Sequence, residues 1–359
     1  ARIAAATAGS VTVTLIESAF PGAGSSGLSF AWPNAQEKYP RAYHDLNVAG
    51  MKEHAKVVSE WDDARWNHPG GHFEWCVSPE RQAWQKKKVE ELLAWNYRAE
   101  WLDVRELKKL EPDVELGLPD DHPVVCYPDE GWIDPVVYMQ AMIAAARRYG
   151  CKLVLARVTG LVIESGKVTG VKTADGATLG ADLVVNCTGP ELNGFIDDPA
   201  LQVPMRSTPG LTVVTPPLPI GLTRILHPDD FAVRPDGAGR LLAHSLTIDK
   251  GVDPHTMVPR ADLPAAVELV AKVNALFPNV GRFPAEAVRI GWRPIPGDGH
   301  PAIGPVPGLD GYYVVVTHSG VTLAAILGRV CSAEILTGTV DPLIADFRAT
   351  RLFEGKRNG

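Results

Sequence analysis

The heptapeptide VTVTLIE, Val11 to Glu17, constrains the chain more than any other stretch. All but two of its residues are β-branched and it ends in an acid, the pattern of a buried parallel strand. The alanine-rich ARIAAATAGS ahead of it reads as the tail of a helix closed by Gly9. A loop of small residues follows, PGAGSSGLSFAWPNA from Pro21 to Ala35. A helix, a parallel strand and a glycine-rich loop in that order belong to nucleotide-binding α/β architecture.

Other classes are disfavoured by composition. At 359 residues the chain is long enough for one large domain or two intertwined ones. The formal net charge of -7 argues against nucleic acid as a partner, since phosphate binding relies on clustered cations. The one dense basic run, Lys86-Lys87-Lys88, lies in a helix-like stretch with Glu90 and Glu91 and reads as a solvated face. Cys76, Cys126, Cys151, Cys187 and Cys331 form no C-x-x-C pair. That spacing disfavours a zinc site or disulfide framework and fits a reducing, cytoplasmic compartment. No uninterrupted apolar run approaches the roughly 20 residues of a membrane span.

Further along, helix signals run from Pro79 to Trp95, and Asp103 with Glu106 forms a capping-box pattern. Asp134-Pro135 starts a helix with an apolar face from Val136 to Ala146, closed by Gly150. Strand-like runs KLVLARV, LVIES and KVTGVKTADG turn at Ser165-Gly166 and Asp175-Gly176 and lead to a buried strand in ADLVVNCTGP. From Val203 to Pro284, β-like runs alternate with Pro and Gly. Tyr312 to Val316 is a strand, His318-Ser319-Gly320 a tight loop, and Val321 to Thr337 a helix. The expected fold is α/β of mixed α+β character: a discontinuous Rossmann-like domain (1–55, 128–202 and 285–359) with an inserted antiparallel-sheet substrate domain (56–127 and 203–284).

Glu17 stands where a dinucleotide fold places the carboxylate that accepts the ribose hydroxyls. Such an acid lies about 20 residues after the first glycine of G-x-G-x-x-G, which puts that motif before Ala1. The chain is therefore expected to be truncated at its N-terminus. Gly24, Ser25, Ser26 and Gly27, with Gly22, supply a backbone that approaches phosphates closely and hydroxyl donors beside it.

Several blocks carry a resemblance, in this order: VTLIE with FPGAGSSGLSFAW; DEGWIDP (Asp129 to Pro135); GVKTADG with LGADLVVNCTGP; GWRPIPGDGHPAIGP (Gly291 to Pro305); and VTHSGVTLAAILGRV (Val316 to Val330). Together they resemble the D-amino-acid oxidase, glycine oxidase and sarcosine oxidase family of flavoproteins. The resemblance implies an FAD-dependent oxidoreductase acting on the C–N bond of a small amine or amino acid such as a D-amino acid, glycine or sarcosine. It implies that Arg293, in its G-x-R-P setting, clamps a substrate carboxylate. Gly291 stands where relatives with covalent flavin have a cysteine, so non-covalent FAD is implied. His318 and Gly320 would lie near the flavin pyrimidine edge, with the helix from Val321 and Thr322 aiming its positive end at the reduced ring. Val158 would contact adenine through its backbone, with Thr188 and Gly189 as further cofactor neighbours. The implied chemistry needs no protein general base: a neutral amine gives hydride from its α-carbon to flavin N5, and the imine hydrolyses in water.

Oxygen or a quinone or carrier protein serves as electron acceptor, and a homo-oligomer is open. Two other readings stand beside this one: an NAD-dependent dehydrogenase, and a non-catalytic relative acting as a binding or scaffold protein. Trp32, following the loop, reads as core packing or as a wall of the flavin or substrate side. His68 and His72 in WNHPGGHFEW read as a structural loop, since no third metal ligand is evident.

Overall fold

A computed structural model describes residues 1–353 apart from 62, 207 and 254. The chain opens with α1 (Arg2–Thr7), β1 (Thr14–Glu17), the short α2 (Ser25–Leu28) and the long α3 (Arg41–Trp61). There follow β2 (Asn67–Pro69), β3 (His72–Trp75), α4 (Pro79–Ala94), β4 (Glu100–Asp103), α5 (Val104–Leu110), β5 (Pro123–Tyr127), β6 (Gly131–Ile133) and α6 (Pro135–Arg148). The middle holds β7 (Lys152–Leu155), β8 (Val158–Glu164), β9 (Lys167–Thr173), β10 (Thr178–Gly180) and β11 (Val184–Asn186). Then come β12 (Thr208–Val214), β13 (Ile225–Pro228), β14 (Ala232–Pro235), β15 (Leu241–His244), α7 (Leu246–Asp249) and α8 (Pro264–Leu276). The chain closes with β16 (Ala287–Arg293), β17 (Ala302–Pro305), β18 (Tyr312–Val316) and α9 (Gly320–Thr337). The stretch 354–359, expected in the nucleotide domain, lies outside the described residues.

Local chemistry explains the clear helices. Asp134 caps α6 by accepting from Val136 N and Val137 N, and Pro135 occupies the first turn, where its missing N–H costs nothing. Asp103 and Glu106 form a complete capping box on α5. Between α3 and α9 the backbones nearly touch: a Cβ on Gly50 would stand 2.5 Å from Thr322 O, so only glycine admits this approach. α9 is also long and apolar enough to cross a membrane by length and composition, although half of it is buried in the protein.

The strands form a mixed α/β fold. β1 pairs parallel with β7, and β11 pairs parallel with β18, whose other neighbour is antiparallel β17. β8, β9 and β10 make an antiparallel meander. The largest sheet has eight strands in the order β16-β12-β15-β14-β13-β3-β5-β4, antiparallel except where β13 runs parallel to β3. β16 thus joins this sheet although it falls in the block expected for the nucleotide unit.

Pleating sorts the large sheet into two faces. Val288, Ile290, Leu211, Val213, Leu241, Ala243, Val233, Leu226 and Phe73 share one face, and α8 covers them with Ala266, Leu269, Val270 and Val273. The opposite face, the polar face, sets polar side chains beside a small apolar cluster of Val214, Ile225, Ala232 and Leu242, and it carries the candidate site.

Four expectations need correction. β1 is parallel, but it is only four residues long and is not buried; Leu15 is 41% exposed. Its second edge, like that of β11, has no strand partner among the described residues, while Ile16 and Val184 on these strands pack against the core. β11 is likewise half-exposed, with Val185 at 37%. Lys88 is not solvated: the α4 stripe of Gln85, Lys88, Val89 and Leu92 faces inward. His68 and His72 lie on strands rather than in a loop, His68 stacked on Trp132 at 3.6 Å and His72 wholly buried.

Candidate active site

The polar face of the large sheet gathers side chains from distant parts of the sequence through strand register. Arg293, Gly291 and Arg289 alternate along β16, and Thr212 on β12 stands opposite both Arg289 and His244. Arg234, His227, His72 and Glu74 continue across β14, β13 and β3. Phe30 and Trp32, just past α2, pack on this face with Trp132, Val214, Ile225, Ala232 and Leu242.

Arg293 leans across its neighbouring strand. One terminal nitrogen donates to the Pro209 carbonyl and the other pairs with Asp249. A Cβ on Gly210 would lie 3.0 Å from the Arg293 Cζ, so glycine there leaves the guanidinium its place. Burial raises the Asp249 carboxyl above its usual range, against the opposing pull of Arg293.

His244, His318 and His227 are neutral at ordinary pH. Burial is the main cause in each, and nearby cations add to it: His244 falls to about 3 with Arg293 close by, and His318 to about 3 with Lys38, Arg293 and Arg206 near. His227 falls to about 4, chiefly through burial although Glu74 pulls the other way. His318 presents much of its surface to open space, but the surrounding walls still desolvate it. Lys38 is pushed down by burial, with Glu37 and Glu130 opposing.

Behind Trp32 lies a buried polar network that the sequence did not announce. Trp32 Nε1 donates to Glu130 Oε2 at 2.7 Å, and Tyr97 OH donates to Glu130 Oε1 at 2.6 Å. His72 Nδ1 stands 3.1 Å from the same carboxylate. Lys88 Nζ donates to both Glu74 oxygens at 2.7 Å and to Gln36 Oε1 at 2.6 Å. Burial alone would raise Glu74; Lys88 outweighs it and holds the carboxyl down to about 2. This network fixes the orientation of the indole.

The glycine-rich loop reaches the site directly. Ser25 Oγ donates to the Trp292 carbonyl at 2.7 Å, so this hydroxyl ties the loop to β16. Gly291 faces Leu28, whose Cδ1 is 2.8 Å from the place a Cβ would take. Gly27 sits so close to the Gly22 carbonyl that no other residue would allow the turn. Ser26 lies within α2, and Gly24 opens onto free space.

The remaining candidates are spread around the nucleotide side. Glu17 ends β1 and accepts from Ala19 N at 3.0 Å. Val158 opens β8 beside a bulge, and Thr188 donates to Asn186 Oδ1 with Gly189 at a positive φ after it. Ser319 precedes α9 and holds Tyr43 OH at 2.7 Å; it gives the helix no side-chain cap. Gly320 opens onto free space, Val321 O meets His54 Nε2 at 2.9 Å, and Thr322 Oγ1 points to Trp32 O at 3.4 Å. An uncapped helix start, two glycines facing open space and a half-exposed carboxylate at a strand end fit a dinucleotide such as FAD, the first two its phosphates and the last its ribose. A surface groove lined by Trp61, Trp66, Met142 and Arg148 contains none of these residues. Among the described residues no cluster of three or more His, Cys, Asp or Glu is arranged to hold a metal.

Two solved structures share this fold. The glycine oxidase from Geobacillus kaustophilus superposes with a TM-score of 0.83 at 19% identity, covering 98% of this chain and 95% of that one. The L-proline dehydrogenase from P. horikoshii gives 0.82 at 20%, covering 99% and 95%. The chain belongs to the DAO family of FAD dependent oxidoreductases, which matches residues 1–334. Among curated relatives, the hydrogen cyanide synthase subunit HcnC of Pseudomonas aeruginosa is 26% identical over 257 residues, 70% of this chain and 59% of that protein. The glycine oxidase of Pseudomonas putida is 32% identical over 191 residues, 52% of this chain and 50% of that protein. The match thus spans less than two thirds of each of these curated relatives. FAD is the cofactor of the family.

Proposed function

We propose that this protein oxidises the C–N bond of a small amine or amino acid, using non-covalent FAD and passing electrons to oxygen or an electron carrier. The carrying observation is the polar sheet face, where Arg293 is pinned over Gly210 beside the neutral imidazole of His244. A fixed guanidinium orients a carboxylate, and neutral imidazoles leave the amine lone pair unopposed by added charge. The names of the relatives support the same class: glycine oxidase, and L-proline dehydrogenase for a solved neighbour.

In this reading Glu17 and the loop of Gly24, Ser26 and Gly27 hold the adenosine side of FAD. Val158, Thr188 and Gly189 flank it, and the start of α9 at Gly320, Val321 and Thr322 faces the ring. When bound, FAD supplies the two-electron acceptor. Arg293 positions the substrate, His318 and Trp32 wall the site, and the sheet excludes water from it. The blocks 1–55, 128–202 and 285–359 serve the cofactor, with 56–127 and 203–284 serving the substrate, β16 joining the two. Five free cysteines fit a reducing compartment.

The test is an absorbance spectrum of the purified protein after FAD addition and desalting, followed by turnover of amino acids. Retained oxidised-flavin bands and Arg293→Ala raising the KM for a carboxylate substrate roughly ten-fold or more support the reading. No retained flavin, or unchanged KM, would overturn it.

A further inference from the structure

The partner of Arg293 is as informative as Arg293 itself. Asp249 ends α7 and is 4% exposed, so its carboxylate has left water and needs compensation. Its two oxygens do different things. Oδ1 accepts from Leu211 N at 2.7 Å. β15 ends at His244, opposite Thr212, so the Leu211 N–H lies beyond the ladder and Asp249 supplies its missing acceptor. Oδ2 takes Arg293, whose other terminal nitrogen is tied to the Pro209 carbonyl. The guanidinium is therefore held at two points by the ends of β12 and α7.

A fork with five N–H donors retains three after these two contacts, and the side chain keeps 20% of its surface open. A ligand carboxylate approaching that open edge meets an arginine whose plane is already set. It also meets an arginine whose charge is already partly neutralised. Surface pairs such as Arg260–Asp262, exposed on both sides, and Arg240–Glu286 lack this arrangement, whereas Arg224 and the buried Glu111, which also accepts from Thr223 N, share it away from the polar face.

We propose that Asp249 is a positioning residue for Arg293, fixing the angle of the guanidinium while lowering the strength with which it binds a carboxylate. This rests on Arg293 being the carboxylate clamp. Binding energy common to bound substrate and transition state does not raise turnover, whereas orientation does. A counter-ion built behind the clamp gives up the first and secures the second.

The experiment uses Asp249→Asn, which keeps an acceptor for Leu211 N and removes the charge. Propionate is titrated into the FAD-loaded protein by calorimetry, and kcat and KM are measured for an amino acid and for an amine lacking a carboxylate. The expected result is propionate binding tightened roughly five-fold, amino-acid kcat lowered, the simple amine unaffected, and Asp249→Glu returning both values toward wild type. Unchanged or weakened propionate binding in a variant that melts and retains FAD as wild type would overturn the proposal. Arg293→Ala separates the two levels. If it leaves propionate binding intact, the clamp reading itself fails; if it abolishes binding while Asp249→Asn changes nothing, only the role of Asp249 fails.

Discussion

His227 and His244 illustrate how much a single register position decides. His244 ends its strand and His227 stands one residue before the end of its own, and burial holds them at about 3 and about 4, against an ordinary value near 6.5. In the unfolded chain they charge as pH falls below 6.5, while in the folded protein they stay neutral. The unfolded state then binds more protons, so stability falls between pH 6.5 and about 4 and the histidine effect is complete near pH 3. Glu74 acts in a lower window: its depressed carboxyl contributes stability above about 4.5 that is lost as pH approaches 2. Urea midpoints at pH 7, 5.5 and 4 should therefore decline, and His227→Gln should flatten the decline. A midpoint constant across that range would show that these imidazoles are not shielded. Lys88 teaches the converse lesson, because its inward position was legible in the spacing of Gln85, Val89 and Leu92 but was hidden by the charge of its neighbours.

At the scale of elements, the contact of α3 with α9 is a backbone contact, and it predicts a cost. Gly50→Ala gains helix propensity of about 1 kcal/mol, yet the new methyl would stand 2.5 Å from the Thr322 carbonyl, which has no room to yield. A net loss of about 1–2 kcal/mol is expected in urea unfolding, with a rise in stability showing that the helices part freely. α6, α5 and α9 were legible because caps, a first-turn proline and a closing glycine mark their ends. α8 was not foreseen, although Ala266, Leu269, Val270, Val273 and Leu276 keep helical spacing, because the surrounding prolines and glycines resemble strand boundaries. The polar sheet face was equally hidden. HFEW alternates but AVRP and LLAH do not, and which residues share a face follows only from pairing between strands far apart in sequence. Arg293 was singled out by its motif and Glu130 lay unremarked inside the DEGWIDP block; Asp249 and His244 fall in no motif.

For the molecule as a whole, the loop around Ser25 and the edge strand β16 lock the nucleotide side to the large sheet, so the site is built from both. The parallel strands are less complete. β1 and β11 each offer an unpaired edge among the described residues, with Leu15 and Val185 in the open. Such edges are templates: any extended peptide, including a second copy of this chain, can hydrogen-bond along them and cover their apolar side chains. The protein should thus be adhesive, its weight-average mass in sedimentation velocity rising with concentration. Lysine at both Leu15 and Val185 should suppress that rise, and equal association in the double variant would place the adhesion elsewhere. Association of this kind would be written in the backbone rows of two strands only four and three residues long, apart from the chemistry of the polar face.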